Sequence, residues 1–75
     1  MRTIIIDDNI QAAQDLQDRL AKFGQVQIVG IASNGLDGLA KVSELQPDLL
    51  FLDVQLPDIS GLDFLERVDS FTHGG

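Results

Sequence analysis

The chain alternates between short apolar runs and longer segments in which apolar residues recur every three or four positions. An uninterrupted run rich in β-branched residues is typical of a strand buried on both faces, whereas the longer spacing predicts an amphipathic helix. The runs predict strands over residues 3–7, 26–32 and 49–53. The second strand contains Gln27 and is the most polar of the three, which favours a position at the edge of a sheet.

Helical segments follow the first two strands. The first is capped by Asn9, and its apolar residues keep helical spacing as far as Phe23, where Gly24 suits the C-terminal end. The second begins after a turn at residues 33–35 and stops at Pro47, which cannot continue the backbone hydrogen-bond ladder. The aromatic side chains expected in the core are Phe23, Phe51 and Phe64.

A third helix is predicted after the last strand, because Ser60 and Asp63 have capping-box spacing. It is expected to extend to about residue 68, with an apolar face made of Leu62, Leu65 and Val68. Residues 1–68 would then form one domain, and residues 69–75 a flexible tail or an added remnant. Right-handed crossovers between parallel strands are the strong default, so the order β-α-β-α-β-α predicts an α/β fold with a three-stranded parallel sheet flanked by helices.

Composition excludes several classes of function for this chain. A length of 75 residues allows one small domain, and the absence of Cys excludes disulfides and thiolate metal sites. The net charge of −7, from 12 acidic and 5 basic residues, disfavours direct binding to nucleic acid or to an anionic membrane. No apolar stretch is long enough to span a membrane, and the N-terminus lacks a signal-peptide pattern. A cytoplasmic location is therefore expected.

The candidate chemistry lies in Asp7, Asp8 and Asp53, at the carboxyl ends of the first and third predicted strands. Sites in open α/β sheets form beyond these ends, so the three carboxylates converge if the two strands are parallel neighbours. Clustered carboxylates repel one another in the absence of a cation, and Mg²⁺ prefers oxygen ligands of this kind. One carboxylate would serve as a phosphoryl acceptor while the others hold the metal. Taken alone, Asp53 would be read as a strand-terminal Asp that begins a turn.

The third strand and the loop after it contain Leu-Asp-Val-Gln-Leu-Pro-Asp-Ile-Ser-Gly-Leu-Asp at residues 52–63, with Pro57 four and Gly61 eight residues after Asp53. Together with the acidic pair at residues 7–8, this segment closely resembles the receiver domain of two-component response regulators. The resemblance covers nearly the whole chain. A weaker similarity is to receivers that are attached to LytTR-type DNA-binding domains.

The resemblance implies a role for each residue of the motif. Asp53 corresponds to the aspartate that a sensor histidine kinase phosphorylates, and Asp8 to the direct Mg²⁺ ligand. Asp7 would act on the metal through water, and Gln55 would contribute its backbone carbonyl. The implied function is a phosphorylation switch in signalling and not a metabolic enzyme.

The chain departs from the resembled family in length, because a receiver has five strands and five helices. The family's Ser/Thr after strand four and Lys after strand five have no counterpart here, so phosphoryl transfer is expected to be weak or absent. Of the flavodoxin-like strand order 2-1-3-4-5, the chain supplies 2-1-3, which leaves its third strand as an edge. We expect homodimerisation, higher self-association or exchange of elements between copies to cover that edge.

Two other functions compete with this interpretation. One is a self-associating structural fragment that has no phosphotransfer activity. The other is a phosphohydrolase similar to the haloacid dehalogenase family, which is disfavoured because such enzymes require a second Asp where this chain has Gln55.

Overall fold

A computed structural model of the chain describes residues 1–53 and 55–73. Its elements in chain order are β1 (Arg2–Ile6), α1 (Ile10–Leu20), β2 (Gln27–Ala32), α2 (Gly35–Leu45), β3 (Leu49–Leu52) and α3 (Gly61–His73). The strands form one parallel sheet in the order β2-β1-β3. This arrangement confirms the predicted α/β fold and its 2-1-3 strand order. None of the described helices is long and apolar enough to cross a membrane.

The central strand β1 carries the hydrophobic core. Its three consecutive Ile residues are buried, because β1 pairs with β2 on one side and with β3 on the other. Ile4 and Ile6 point to one face of the sheet and pack with side chains of α2 and α3, namely Leu39, Val42 and Phe64. Ile5 alternates to the opposite face, where it lines a cleft with Leu16 of α1. The uninterrupted apolar run therefore serves both faces, as the sequence predicted.

Helix α1 is shorter than the sequence predicted. Asn9 caps its start by accepting a hydrogen bond from the Ala12 backbone, but its C-cap is Ala21 and not Gly24. The Phe23 backbone N–H then bonds to the Leu20 carbonyl at 2.9 Å in a tight turn. This turn leaves the Phe23 side chain 61% exposed, so its predicted place in the core is wrong. Phe64 is fully buried, and Phe51 is half-buried.

Helix α2 begins and ends where the sequence predicted. The Asn34 side chain accepts a hydrogen bond from the Asp37 backbone at 2.7 Å and so caps its start. Its C-cap, Gln46, adopts a left-handed conformation with φ of 48°, and its N–H bonds to the Val42 carbonyl. A left-handed C-cap satisfies carbonyls that the ending helix leaves unpaired. Pro47 follows directly and prevents the helix from continuing.

Helix α3 presents a different face to the core from the one predicted. Gly61 and Phe64 are buried and Val68 is half-buried, whereas Leu62 and Leu65 are 76% and 50% exposed. The placement of Leu62 and Leu65 on the buried face was therefore wrong. The helix also extends to His73 instead of ending near residue 68. The two glycines at 74–75, assigned to a tail, lie outside the described residues.

Strand β3 lies at an edge of the sheet, with no strand beyond it among the described residues. Its four residues are only half-buried. A groove of about 690 Å³ lies beside its start, between the C-terminal end of α2 and Val68 of α3. Leu49 and Leu50 line this groove, so the edge is apolar, as the sequence predicted.

Candidate functional site

Two parallel strands deliver the acidic residues to one edge of the sheet. Asp7 follows β1, and its backbone N–H donates to the Ala32 carbonyl at 3.0 Å. Asp53 follows β3, and its backbone N–H donates to the Ile6 carbonyl at 2.9 Å. Both bonds continue the pairing between strands by one residue beyond the strand ends. The backbone of each aspartate is therefore held by the sheet and not only by its own loop.

The structure brings the three predicted acidic residues together. Oxygens of Asp7, Asp8 and Asp53, one from each carboxylate, all lie within 4.8 Å of one another. Asp7 and Asp53 are half-buried, and Asp8 is exposed. Opposite oxygens around Mg²⁺ are about 4 Å apart, because each Mg–O bond is about 2.1 Å long. The cluster is thus compact enough for one divalent ion to contact the carboxylates directly or through water.

Local hydrogen bonds hold two of the carboxylates in place. Asp7 Oδ1 accepts from the Asn9 backbone N–H at 2.9 Å, and Asp53 Oδ1 accepts from the Gln55 backbone N–H at 3.0 Å. Each is an Asx turn, in which a side chain bonds to the backbone two residues later. The turns fix the carboxylate orientations before any ligand arrives. Asp53 thus forms the turn that a strand-terminal Asp commonly forms.

The acidic cluster lies at the rim of an open cleft of about 500 Å³. Its polar lining comes from the three aspartates and Asn9, and its apolar lining includes Ile5, Leu16 and Phe51. The cluster is therefore open to solvent and accessible to a small cation. Gln55, predicted to contribute its backbone carbonyl, is two residues beyond Asp53 with an exposed side chain.

Sequence reasoning missed one residue in the loop that follows Asp53, namely Asp58. Its carboxylate accepts backbone hydrogen bonds from Gly35 at 2.7 Å and from Leu36 at 2.8 Å, at the start of α2. It also accepts from the Ile59 backbone at 3.0 Å. The bond from Leu36 is the main cause that lowers the pKa of Asp58, with Gly35 and Ile59 acting in the same direction. An Asp after Pro57 signals a turn, but no local pattern indicates a partner more than twenty positions earlier.

Comparisons with known proteins agree with this geometry. The family model "Response regulator receiver domain" matches residues 3–74. An uncharacterized response regulatory protein of Vibrio cholerae is 42% identical over 72 residues, which cover 96% of this chain and 30% of the relative. The transcriptional regulatory protein BtsR of Escherichia coli is 39% identical over 69 residues, which cover 92% of this chain and 29% of the relative.

Solved structures show the same likeness. The signal receiver domain of the putative response regulator NarL from Mycobacterium tuberculosis superposes with a TM-score of 0.90 at 27% identity. The superposition covers 95% of this chain and 57% of that domain. The chain thus spans less than a third of these two curated relatives and a little over half of the solved receiver domain.

Proposed function

This chain belongs to the response regulator receiver domain family, and from that premise we propose that it is a phospho-accepting signalling module. Asp53 is the proposed phosphoryl acceptor, and a sensor histidine kinase is the proposed donor. Asp8 and Asp53 would bind Mg²⁺ directly, Asp7 through water, and Gln55 through its backbone carbonyl. The observation that carries this proposal is the convergence of three carboxylates within 4.8 Å at the ends of β1 and β3.

In the proposed reaction, a carboxylate oxygen of Asp53 attacks the phosphorus of a phosphohistidine or a small acyl phosphate. A P–O bond forms at Asp53 while the bond to the donor breaks, and the leaving group takes the electron pair. Mg²⁺, when bound, supplies positive charge that offsets the charge of the phosphoryl oxygens. The chain's own contribution is to orient Asp53 through its backbone bond to Ile6 and its side-chain bond to Gln55.

Intact mass measurement after incubation with acetyl phosphate and Mg²⁺ tests this proposal. The expected result is an adduct of one phosphoryl group, about 80 Da, that is absent from Asp53→Asn and from a sample treated with a metal chelator. The Asn variant keeps the side-chain carbonyl that accepts from Gln55, so it preserves the turn. An adduct that persists in Asp53→Asn would refute Asp53 as the acceptor. A folded wild-type chain that forms no adduct would refute phosphotransfer by this chain.

The edge of β3 favours a second candidate, self-association without phosphotransfer. The half-buried apolar strand has no neighbour beyond it among the described residues, and an exposed edge is a template for pairing with another chain. Sedimentation at several protein concentrations tests this candidate. A mass that rises towards a dimer, together with the absence of a phosphoryl adduct, would support it. A monomer at all concentrations would exclude it.

The wider setting is also part of the proposal. The matched relatives are more than three times as long as this chain, so an output domain, including one of the LytTR type, is proposed only by analogy. A cytoplasmic location and the absence of direct nucleic-acid binding rest on the signalling role and on the net charge of −7.

A further inference from the structure

A carboxylate from the loop after β3 completes the N-terminus of α2. The first backbone N–H groups of a helix have no partner within the helix and need acceptors from elsewhere. In α2, Asn34 accepts from Asp37, and Asp58 accepts from both Gly35 and Leu36. All three N–H groups at the start of α2 are thereby bonded, two of them by a residue more than twenty positions later in the chain.

Close packing accompanies these bonds. A Cβ atom placed on Gly35 would lie 2.3 Å from Ile59 Cγ1 and 3.1 Å from Asp58 Oδ1. Real Cβ atoms do not approach other heavy atoms to 2.3 Å, so the loop contacts the helix backbone more closely than any other residue type at position 35 would allow. Ile59 is half-buried and packs against the core. The loop is therefore attached to α2 by both polar and apolar contacts.

The loop after β3 is consequently anchored at both ends. At its start, the Asp53 backbone bonds to the Ile6 carbonyl, and at its end Asp58 bonds to α2. Only four residues separate Asp53 from Asp58, and Gln55 is among them. Gln55 lies between these two anchors and donates to Asp53 Oδ1, so a shift at Asp58 would be transmitted to Gln55.

We propose that Asp58 is a positioning residue for the metal site: its bonds to α2 hold the loop in the conformation that presents Gln55 and Asp53 to Mg²⁺. The inference rests on the metal-binding part of the proposed function. Asp58 would act through the loop and not as a ligand, because its carboxylate accepts hydrogen bonds from α2. A residue that served only as a helix cap would affect stability and leave metal affinity unchanged.

The test compares Asp58→Ala and Asp58→Asn with Asp63→Asn, a matched control. Asp63 is an exposed acid five positions later, so its substitution removes the same charge without removing the bonds to Gly35 and Leu36. Mg²⁺ affinity is measured by calorimetry at pH 7 and constant ionic strength, on samples shown by circular dichroism to be folded. Backbone amide exchange of Gln55 and Leu56 is measured by NMR without metal.

We expect Asp58→Ala to raise the Mg²⁺ dissociation constant about 10-fold, the lower end of the effect of residues that orient metal ligands. Asp58→Asn retains one acceptor oxygen and should raise it about 3-fold, while Asp63→Asn should stay within about 2-fold. Amide exchange at Gln55 should become about 10-fold faster in Asp58→Ala as the loop loosens. If Asp58→Ala fails to fold, Asp58→Asn decides the comparison.

Unchanged Mg²⁺ affinity in the folded Asp58 variants would overturn the inference, as would an equal loss in Asp63→Asn. A wild-type chain that binds no Mg²⁺ would refute the metal site itself and, with it, the positioning role. The amide exchange separates the two failures. If amide exchange is faster in Asp58→Ala but the wild type binds no Mg²⁺, then Asp58 holds the loop and the proposed metal site is wrong. Unchanged exchange shows that Asp58 does not hold the loop.

Discussion

The clustered carboxylates should make the metal-free protein less stable than a variant that lacks one of them. Asp53→Asn is the most informative change, because Asp53 lies 46 and 45 positions from Asp7 and Asp8 in the sequence. Its repulsion with both residues is therefore a property of the folded state and is largely absent from the unfolded chain. The Asn side chain has the same shape and keeps the acceptor for the Gln55 N–H.

The size of the effect follows from the separation of the oxygens. Two unit charges 4.8 Å apart repel by about 0.9 kcal/mol in water and by about 3.5 kcal/mol at an effective dielectric constant of 20. Removing the Asp53 charge eliminates two such pairs, which in water without salt gives about 1.7 kcal/mol. Salt screens the repulsion only partly, because the Debye length of about 10 Å at 0.1 M exceeds this separation. Since the site is partly exposed and salt screens it partly, we expect a gain of about 1–2 kcal/mol.

Urea unfolding followed by far-ultraviolet circular dichroism measures this gain, since the chain has no Trp or Tyr for fluorescence. At 10 mM Mg²⁺, an ion bound with a dissociation constant on the order of 1 mM adds about 1.4 kcal/mol to the wild type. Without metal, the free energy of unfolding of Asp53→Asn should thus exceed that of the wild type. With metal, the two values should be nearly equal. Asp63→Asn removes an acid from the first turn of α3 and should differ from the wild type by the same amount with and without metal. A metal-free Asp53→Asn variant that is no more stable than the wild type would refute the electrostatic reasoning.

Three further predictions concern the support of the site. Gly38→Ala should lower the free energy of unfolding by about 1–3 kcal/mol, because its Cβ would lie 2.7 Å from Ile6 Cδ1. Gly24→Ala, with nothing within 4 Å and an ordinary φ, should raise it by about 0.4–1 kcal/mol in the same urea titration. Asn34→Ala should cost about 1 kcal/mol by removing a helix cap, and thermal unfolding would detect it. The folded-state pKa of Asp58 is lowered, so its stabilisation is present above the unfolded pKa and is lost as pH falls through the folded pKa. Asp58→Asn should therefore show a flatter decline of stability in acid than the wild type, and equal acid slopes would contradict this.

The sequence predicted the architecture because each strand is marked by an uninterrupted apolar run and each connection by a turn or capping residue. Asn9 and Asn34 are caps in the structure, and Pro47 follows the end of α2. The convergence of Asp7, Asp8 and Asp53 followed from the parallel arrangement of their strands alone. The roles of these residues in binding metal and phosphoryl groups remain predictions.

The buried face of α3 was predicted wrongly because two sets of residues satisfy the same helical periodicity. Residues 62, 65 and 68 and residues 61, 64 and 68 both have helical spacing, and only packing against α2 decides that the second set is buried. Gly61 is buried although it has no apolar side chain, so a count of apolar residues does not register it. Phe23 continued the stripe of α1 in sequence, but the helix had already ended at Leu20.

The distance in sequence between the acidic residues couples the site to folding. β1 pairs with β2 across 25 positions, as in Thr3 with Ile28, and with β3 across 46, as in Thr3 with Leu49. By loop-closure entropy the second pairing costs only about 0.5 kcal/mol more than the first, so β3 can dock readily once β1 and β2 are paired. Until it docks, Asp53 is remote from Asp7 and Asp8, and a divalent ion has no complete cluster to bind. A cation that bound this cluster would therefore bind only the completed sheet and would shift the chain towards the state in which the last strand has docked.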